Sequence, residues 1–178
     1  MSAITEIRIH GRGGQGAVTT AELIAIAAFK DGKFSQAVPN FGPERRGSPV
    51  EAYCRIAKEF ITLRTQVYDP DYVIVLDDSL PSVVDITRGL TKEGMILINS
   101  EAEKKFGNFP AYTVDANRIA MDVLGKPIVN TVMLGAFAKA TKLITLKSLV
   151  EAIGERFEGA VRDSNVKAIK RAYEETKV

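Results

Sequence analysis

Six residues in a row, Gly11-Arg12-Gly13-Gly14-Gln15-Gly16, hold the most chemistry in this sequence. Gly11, Gly13 and Gly16 match G-x-G-x-x-G, and the match falls between an alternating segment and an apolar, helix-forming one. That is the context in which the pattern has a mechanism: a tight turn, a backbone that a diphosphate can approach, and a helix N-terminus whose unpaired N–H groups face an anion. Arg12 and Gln15 add side-chain donors within the loop. A second candidate is the adjacent pair Arg45-Arg46, set among Pro39, Pro43 and Pro49 and flanked by Gly42 and Gly47. Guanidinium groups on a stiffened loop suit phosphate or carboxylate recognition, whereas a solvated turn is the plainer use of such a pair.

Other reactive residue types are sparse. The one cysteine, Cys54, forms no internal disulfide and cannot by itself ligate an iron–sulfur cluster; the one histidine, His10, argues against a self-contained zinc site. No residue is assigned as a catalytic acid, base or nucleophile, and no metal ligand is assigned. His10 ends the first predicted strand and reads as a hydrogen-bonded core or rim residue. Cys54 shares a strand face with Val50, Ala52 and Ile56 and reads as packing. Asp77-Asp78 ends a central strand, where ligands approach open α/β sheets, although capping the following turn is the simpler role.

A dinucleotide fingerprint also needs an acid roughly 20 positions on, at the end of the second strand. Asp31 has the count but stands at a helix end, before that strand. This weakens a stand-alone NAD- or flavin-binding oxidoreductase as a reading.

The elements that must position these residues follow from periodicity. Ile4 to His10 alternates as a strand, and Ala17 to Phe29 follows as a helix apolar on nearly all faces, stopped by Asp31-Gly32. Phe34 to Val38 is a short strand. Val50 to Ile56 alternates with one polar face, formed by Glu51, Tyr53 and Arg55. Tyr72 to Leu76 and Met95 to Ile98 are continuous apolar runs of buried parallel strands. Pro81 to Arg88 reads as a helix, Ala111 to Val114 as a strand, and Asn117 to Leu124 as a short helix. Asn130 caps a further apolar helix over Thr131 to Thr141. Two amphipathic helices follow, one from Thr145 and one carrying Val166, Ile169 and Tyr173. The alternation predicts a single Rossmann-like, three-layer α/β domain over residues 1–178, with a largely parallel sheet and a helical C-terminal region.

At 178 residues the chain suffices for one well-buried domain. Lys and Arg number 24 against 22 Asp and Glu, so no nucleic-acid footprint is expected. No apolar run is long enough for a membrane span, and the N-terminus lacks a signal pattern; a cytoplasmic protein is expected.

Taken together, GRGGQG, FGPERRGSPVEAYCRI and DPDYVIVLDDSL resemble the gamma subunit of the pyruvate/2-oxoacid:ferredoxin oxidoreductases, in order and over nearly the whole chain. The resemblance implies a separate polypeptide of a heterotetramer, closest to pyruvate:ferredoxin oxidoreductase, with alpha, beta and delta partner subunits and ferredoxin reached through the complex. Thiamine diphosphate and iron–sulfur clusters are expected on those partners, with no cofactor held stably by this chain alone. It further implies a contribution to coenzyme A binding, through the backbone of Gly11, Gly13, Gly14 and Gly16, the side chains of Arg12 and Gln15, and Arg45 and Arg46. Another 2-oxoacid or indolepyruvate enzyme of the same kind, and a pure assembly module, are the alternatives.

Overall fold

The computed structural model describes residues 4–39 and 46–177. Among the described residues six strands form one sheet: β1 (Thr5–Arg12), β2 (Phe34–Pro39), β3 (Pro49–Ala57), β4 (Tyr72–Val75), β5 (Met95–Asn99) and β6 (Ala111–Val114), in the order β2-β3-β1-β4-β5-β6. β1, β4, β5 and β6 run parallel, while β3 is antiparallel to both of its neighbours. The five α-helices among the described residues are α1 (Ala17–Lys30), α2 (Ala116–Leu124), α3 (Asn130–Thr141), α4 (Leu146–Arg156) and α5 (Gly159–Glu175).

The helices all serve one face of the sheet, in two tiers. α1 lies on β1, β2 and β3 and carries α4; α3 meets β5 and β6 and carries α5, with α2 packed beside them. This placement explains the two helices that are apolar all round, since each is covered by the sheet below and by helices above. Nine consecutive α3 residues, Asn130 to Ala138, are buried. α5 approaches α3 so closely that a Cβ on Gly135 would stand 2.1 Å from the Ile169 carbonyl oxygen, so only glycine permits this crossing. The last turn of α1 is tied to the start of α4 by Asp31, which accepts from the Thr145 N–H and hydroxyl, both at 2.7 Å, and from the Ser148 hydroxyl at 2.5 Å.

The second face is covered by turns rather than helices. Val73, Val75, Ile96 and Ile98 bury there under Leu80, Ile86 and Leu90. The helix predicted over Pro81 to Arg88 does not form; only a 3₁₀ turn, Leu80–Ser82, is present. Two features account for the difference. Asp85 accepts from the Thr87 N–H and hydroxyl, closing a local turn. The Ile86 and Arg88 carbonyls, which a helix would use internally, accept from the Arg8 Nη2 at 3.0 and 2.6 Å.

The polar side of β3 is buried as well. Tyr53 and Arg55 are each 1% exposed, beneath a layer in which Arg55 donates to Glu6 at 2.7 Å and Tyr53 to Glu51 at 2.7 Å. On β1, Arg8 Nε donates to His10 Nε2 at 3.0 Å. Alternation in β3 thus separates a dry face from a hydrogen-bonded one, not an inside from an outside.

Candidate functional site

The glycine turn stands at the C-terminal end of β1, beside the ends of β3 and β4. Gly11 and Arg12 belong to the strand itself, paired with Val50 and Pro49, so the turn proper spans Gly13 to Gly16. Two backbone bonds tie it to the segment before β3: Gly13 N–H donates to Ser48 at 2.9 Å, and Gly47 N–H donates to Gly13 at 3.2 Å. Gln15 closes the turn on itself, its N–H reaching the Arg12 carbonyl at 2.9 Å and its Oε1 accepting from Arg12 N–H at 2.7 Å.

The carboxylate of Asp77 occupies the space in front of this turn. It accepts from Gln15 Nε2 at 2.8 Å, from Ser79 N–H at 3.0 Å and from Ser79 Oγ at 2.5 Å, and Arg12 Nε lies 3.3 Å away. Burial alone would raise the Asp77 carboxyl; the hydrogen bonds from Ser79 and Gln15 and the Arg12 charge hold it below the usual range instead. Arg12 is further engaged by the Gly47 carbonyl at 2.9 Å and Ser79 Oγ at 2.6 Å. The two donors that the sequence assigns to an outside anion therefore serve an internal one. Asp77 combines the expected turn-capping role with an unexpected one as partner of the glycine turn; Asp78 is exposed.

What remains open to a ligand is the outer rim. Gly14, at φ +93°, has no atom within 4 Å of where its Cβ would be. Arg46 is exposed and adjoins Gly47, which is bonded to the turn. Arg45 lies outside the described residues. Gly16 adopts φ +81° and starts α1 without a side-chain cap. A Cβ there would meet Asn130 Nδ2 at 2.5 Å, so the close approach and the left-handed backbone each demand glycine. Asn130 does not cap α3 as its sequence position suggests; it is the first helical residue, after Val129.

Asp31, which has the sequence count of a ribose-binding acid but stands at the helix end, is committed to the start of α4. His10 is buried and neutral, its pKa lowered to about 4 because burial outweighs the Glu51 carboxylate 3.7 Å from Nδ1. Cys54 is fully buried, and burial pushes its thiol up. No group of three or more metal-ligating side chains occurs among the described residues. No helix among them is long and apolar enough to cross a membrane. Sequence reasoning missed Asn99, which donates to the Leu76 carbonyl at 2.9 Å and accepts from Ala116 N–H at 3.0 Å, fixing the ends of β4 and β5 to the start of α2. An asparagine ending a buried strand is the one signal that could have found it.

The pattern of the family described as pyruvate ferredoxin/flavodoxin oxidoreductase matches residues 6–175. The chain is 55% identical over 172 residues to pyruvate synthase subunit PorC of Methanothermobacter marburgensis, covering 97% of each. It is 49% identical over 180 residues to the pyruvate/ketoisovalerate oxidoreductases common subunit gamma of Pyrococcus furiosus, again over 97% of each. Among solved structures, pyruvate oxidoreductase subunit PORC from Thermotoga maritima superposes with a TM-score of 0.86 at 37% identity, covering 98% of this chain and 97% of that one.

Proposed function

The chain belongs to the pyruvate ferredoxin/flavodoxin oxidoreductase family, and from that premise we propose that it is the gamma subunit of a pyruvate:ferredoxin oxidoreductase. The enzyme so assembled decarboxylates pyruvate oxidatively to acetyl-CoA and CO2 with reduction of ferredoxin, or runs the reverse reaction. The observation that carries the reading is end-to-end similarity to proteins named as subunits of such enzymes. Alpha, beta and delta subunits complete a cytoplasmic heterotetramer and bear the thiamine diphosphate and iron–sulfur clusters. One buried cysteine agrees with that division of labour, because cluster ligation by this chain would need several.

Coenzyme A binding is assigned to the outer rim of the glycine turn. The inward donors of Arg12 and Gln15 already hold Asp77 and do not fit a diphosphate. The Gly14 backbone, open to solvent, and the exposed Arg46 fit one phosphate group; Arg45, its neighbour in sequence, is assigned to the same group. When bound, coenzyme A supplies the acyl-accepting thiol; this chain's part is to hold its anionic end. A second reading, an assembly module with no small-molecule role for the turn, is favoured by the Asp77 contacts alone. A stand-alone NAD or flavin enzyme is disfavoured by the commitment of Asp31 to α4.

Purification of the native complex tests the main reading. Thiamine- and cluster-bearing subunits should accompany the chain, and pyruvate should reduce ferredoxin only when coenzyme A is present. An isolated chain that reduces NAD would overturn it. Within the complex, changing Arg45 and Arg46 together to Ala should raise the coenzyme A KM about tenfold, the loss of a charge-assisted contact, and leave the pyruvate KM unchanged. An unaltered coenzyme A KM removes the rim assignment and leaves the assembly module.

A further inference from the structure

The segment leading into β3 is held to the glycine turn at three successive peptide groups. Gly47 N–H donates to the Gly13 carbonyl at 3.2 Å, which fixes the plane of the Arg46–Gly47 peptide. The Gly47 carbonyl accepts from Arg12 Nη1 at 2.9 Å, and the Ser48 carbonyl accepts from Gly13 N–H at 2.9 Å. Between the first two planes Gly47 stands at φ +81°, with no described atom within 4 Å of where its Cβ would be. Glycine has the widest backbone freedom of any residue, and no packing restrains it here. Hydrogen bonds must therefore fix its conformation. Two of these three bonds are backbone to backbone; the third comes from the side chain of Arg12.

Arg12 is itself anchored at every polar atom it can offer. Its backbone pairs with Pro49, and its N–H donates to Gln15 Oε1 at 2.7 Å. Of its guanidinium nitrogens, Nε lies 3.3 Å from Asp77, Nη1 is on Gly47 and Nη2 donates to Ser79 Oγ at 2.6 Å. The Asp77 carboxylate offsets the Arg12 charge, so Arg12 adds little attraction for an anion at the rim. Its planar fork instead ties the ends of β1 and β4 to one carbonyl of the segment before β3. Arg46 differs. It is exposed, immediately precedes the clamped Gly47, and forms no ion pair among the described residues. One arginine thus has its charge matched internally and fixes the backbone on which the other, uncommitted one is carried.

We propose that Arg12 is a positioning residue for coenzyme A: it touches no part of the ligand, and by clamping the Gly47 carbonyl it holds Arg46 at the rim of the glycine turn, ready for a phosphate. The inference rests on the assignment of coenzyme A to that rim, and it adds the residue through which Arg46 is made ready.

A double-mutant cycle on the purified complex, read as the coenzyme A KM, tests the assignment. Arg46→Ala should raise that KM about fivefold, the loss of one charge-assisted contact. Arg12→Ala should raise it about threefold to fivefold, since the backbone of Gly47 must then be ordered by the ligand. The rise should fall on KM rather than on kcat. With both residues changed, the KM should be no higher than with Arg46→Ala alone, because Arg12 acts only through Arg46. Arg12→Lys keeps the charge and most of the bulk but loses the fork, so it should raise the KM as alanine does; it also carries the test without a truncated side chain. Multiplying effects in the double variant would mean that Arg12 meets the ligand itself, and would overturn the proposal. A native KM in Arg12→Lys would also overturn it, showing that charge and not the clamp matters. If Arg46→Ala raises the KM and Arg12→Ala does not, positioning by Arg12 is wrong and the rim assignment stands. If Arg46→Ala leaves the KM unchanged, the rim assignment falls and this inference falls with it.

Discussion

Gln15 Nε2 donates to Asp77 Oδ2 at 2.8 Å, joining the glycine turn after β1 to the end of β4 across 62 positions of sequence. The contact turns what reads as an outward-facing cradle into a latch between parallel neighbours. Arg12 and Ser79 complete it, so three residues from two strand ends are held by one carboxylate.

Asp77→Ala should lower stability by about 1 to 2 kcal/mol, since it strips partners from Gln15, Arg12 and Ser79 while leaving them partly accessible to water. The sign of its pH dependence follows from the depressed carboxyl. Asp77 contributes fully above its unfolded pKa of 3.8 and loses that contribution as pH falls toward the lower folded value. Urea midpoints measured between neutral pH and about pH 3 should therefore fall less steeply in Asp77→Asn than in the native chain.

His10 works in a higher window. Its folded pKa is about 4 against 6.5 unfolded, so the unfolded chain takes up a proton first as pH drops. Stability present above pH 6.5 is lost between 6.5 and about 4. At about 1.4 kcal/mol per unit, the loss is on the order of 3 kcal/mol. NMR titration should show the imidazole still neutral at pH 5, and His10→Gln should flatten the stability profile across that interval. A folded-state pKa near 6.5 would contradict the burial argument.

Glycines in the turn should differ in a graded way. Gly14→Ala meets no atom and bears only the left-handed backbone penalty, about 1 kcal/mol. Gly16→Ala adds a 2.5 Å approach to Asn130 Nδ2, in a tightly packed region where relief is expensive. It should cost more, about 2 to 3 kcal/mol in all. Chemical denaturation of both variants checks the order; equal losses would mean that Asn130 swings aside freely.

Asn99→Ala removes a donor to Leu76 and an acceptor for Ala116 at a site 2% exposed to solvent. Both backbone groups are left buried and unmatched, at about 1 to 3 kcal/mol each. A loss of at least about 2 kcal/mol is expected from thermal or urea unfolding, larger than for Asp77→Ala because no water reaches the vacated partners.

Periodicity and punctuation were enough to read the alternation of β1, α1, β4, β5 and the C-terminal helices, because apolar spacing reports directly which faces must leave water. The glycine turn's position after β1 was equally legible, since G-x-G-x-x-G requires backbone freedom that few other residues possess. Three things were decided by tertiary contacts. Residues 81–88 lost their helix to the guanidinium of Arg8, almost 80 positions away. The polar face of β3 was buried because Glu6 and Glu51 arrived to satisfy Arg55 and Tyr53. Arg12 and Gln15 were turned inward by Asp77. In each case a polar group chose its partner by proximity in the folded chain. Hydrogen bonds and ion pairs act over a few ångströms, and no spacing rule along the sequence encodes which distant strand end will come within that reach.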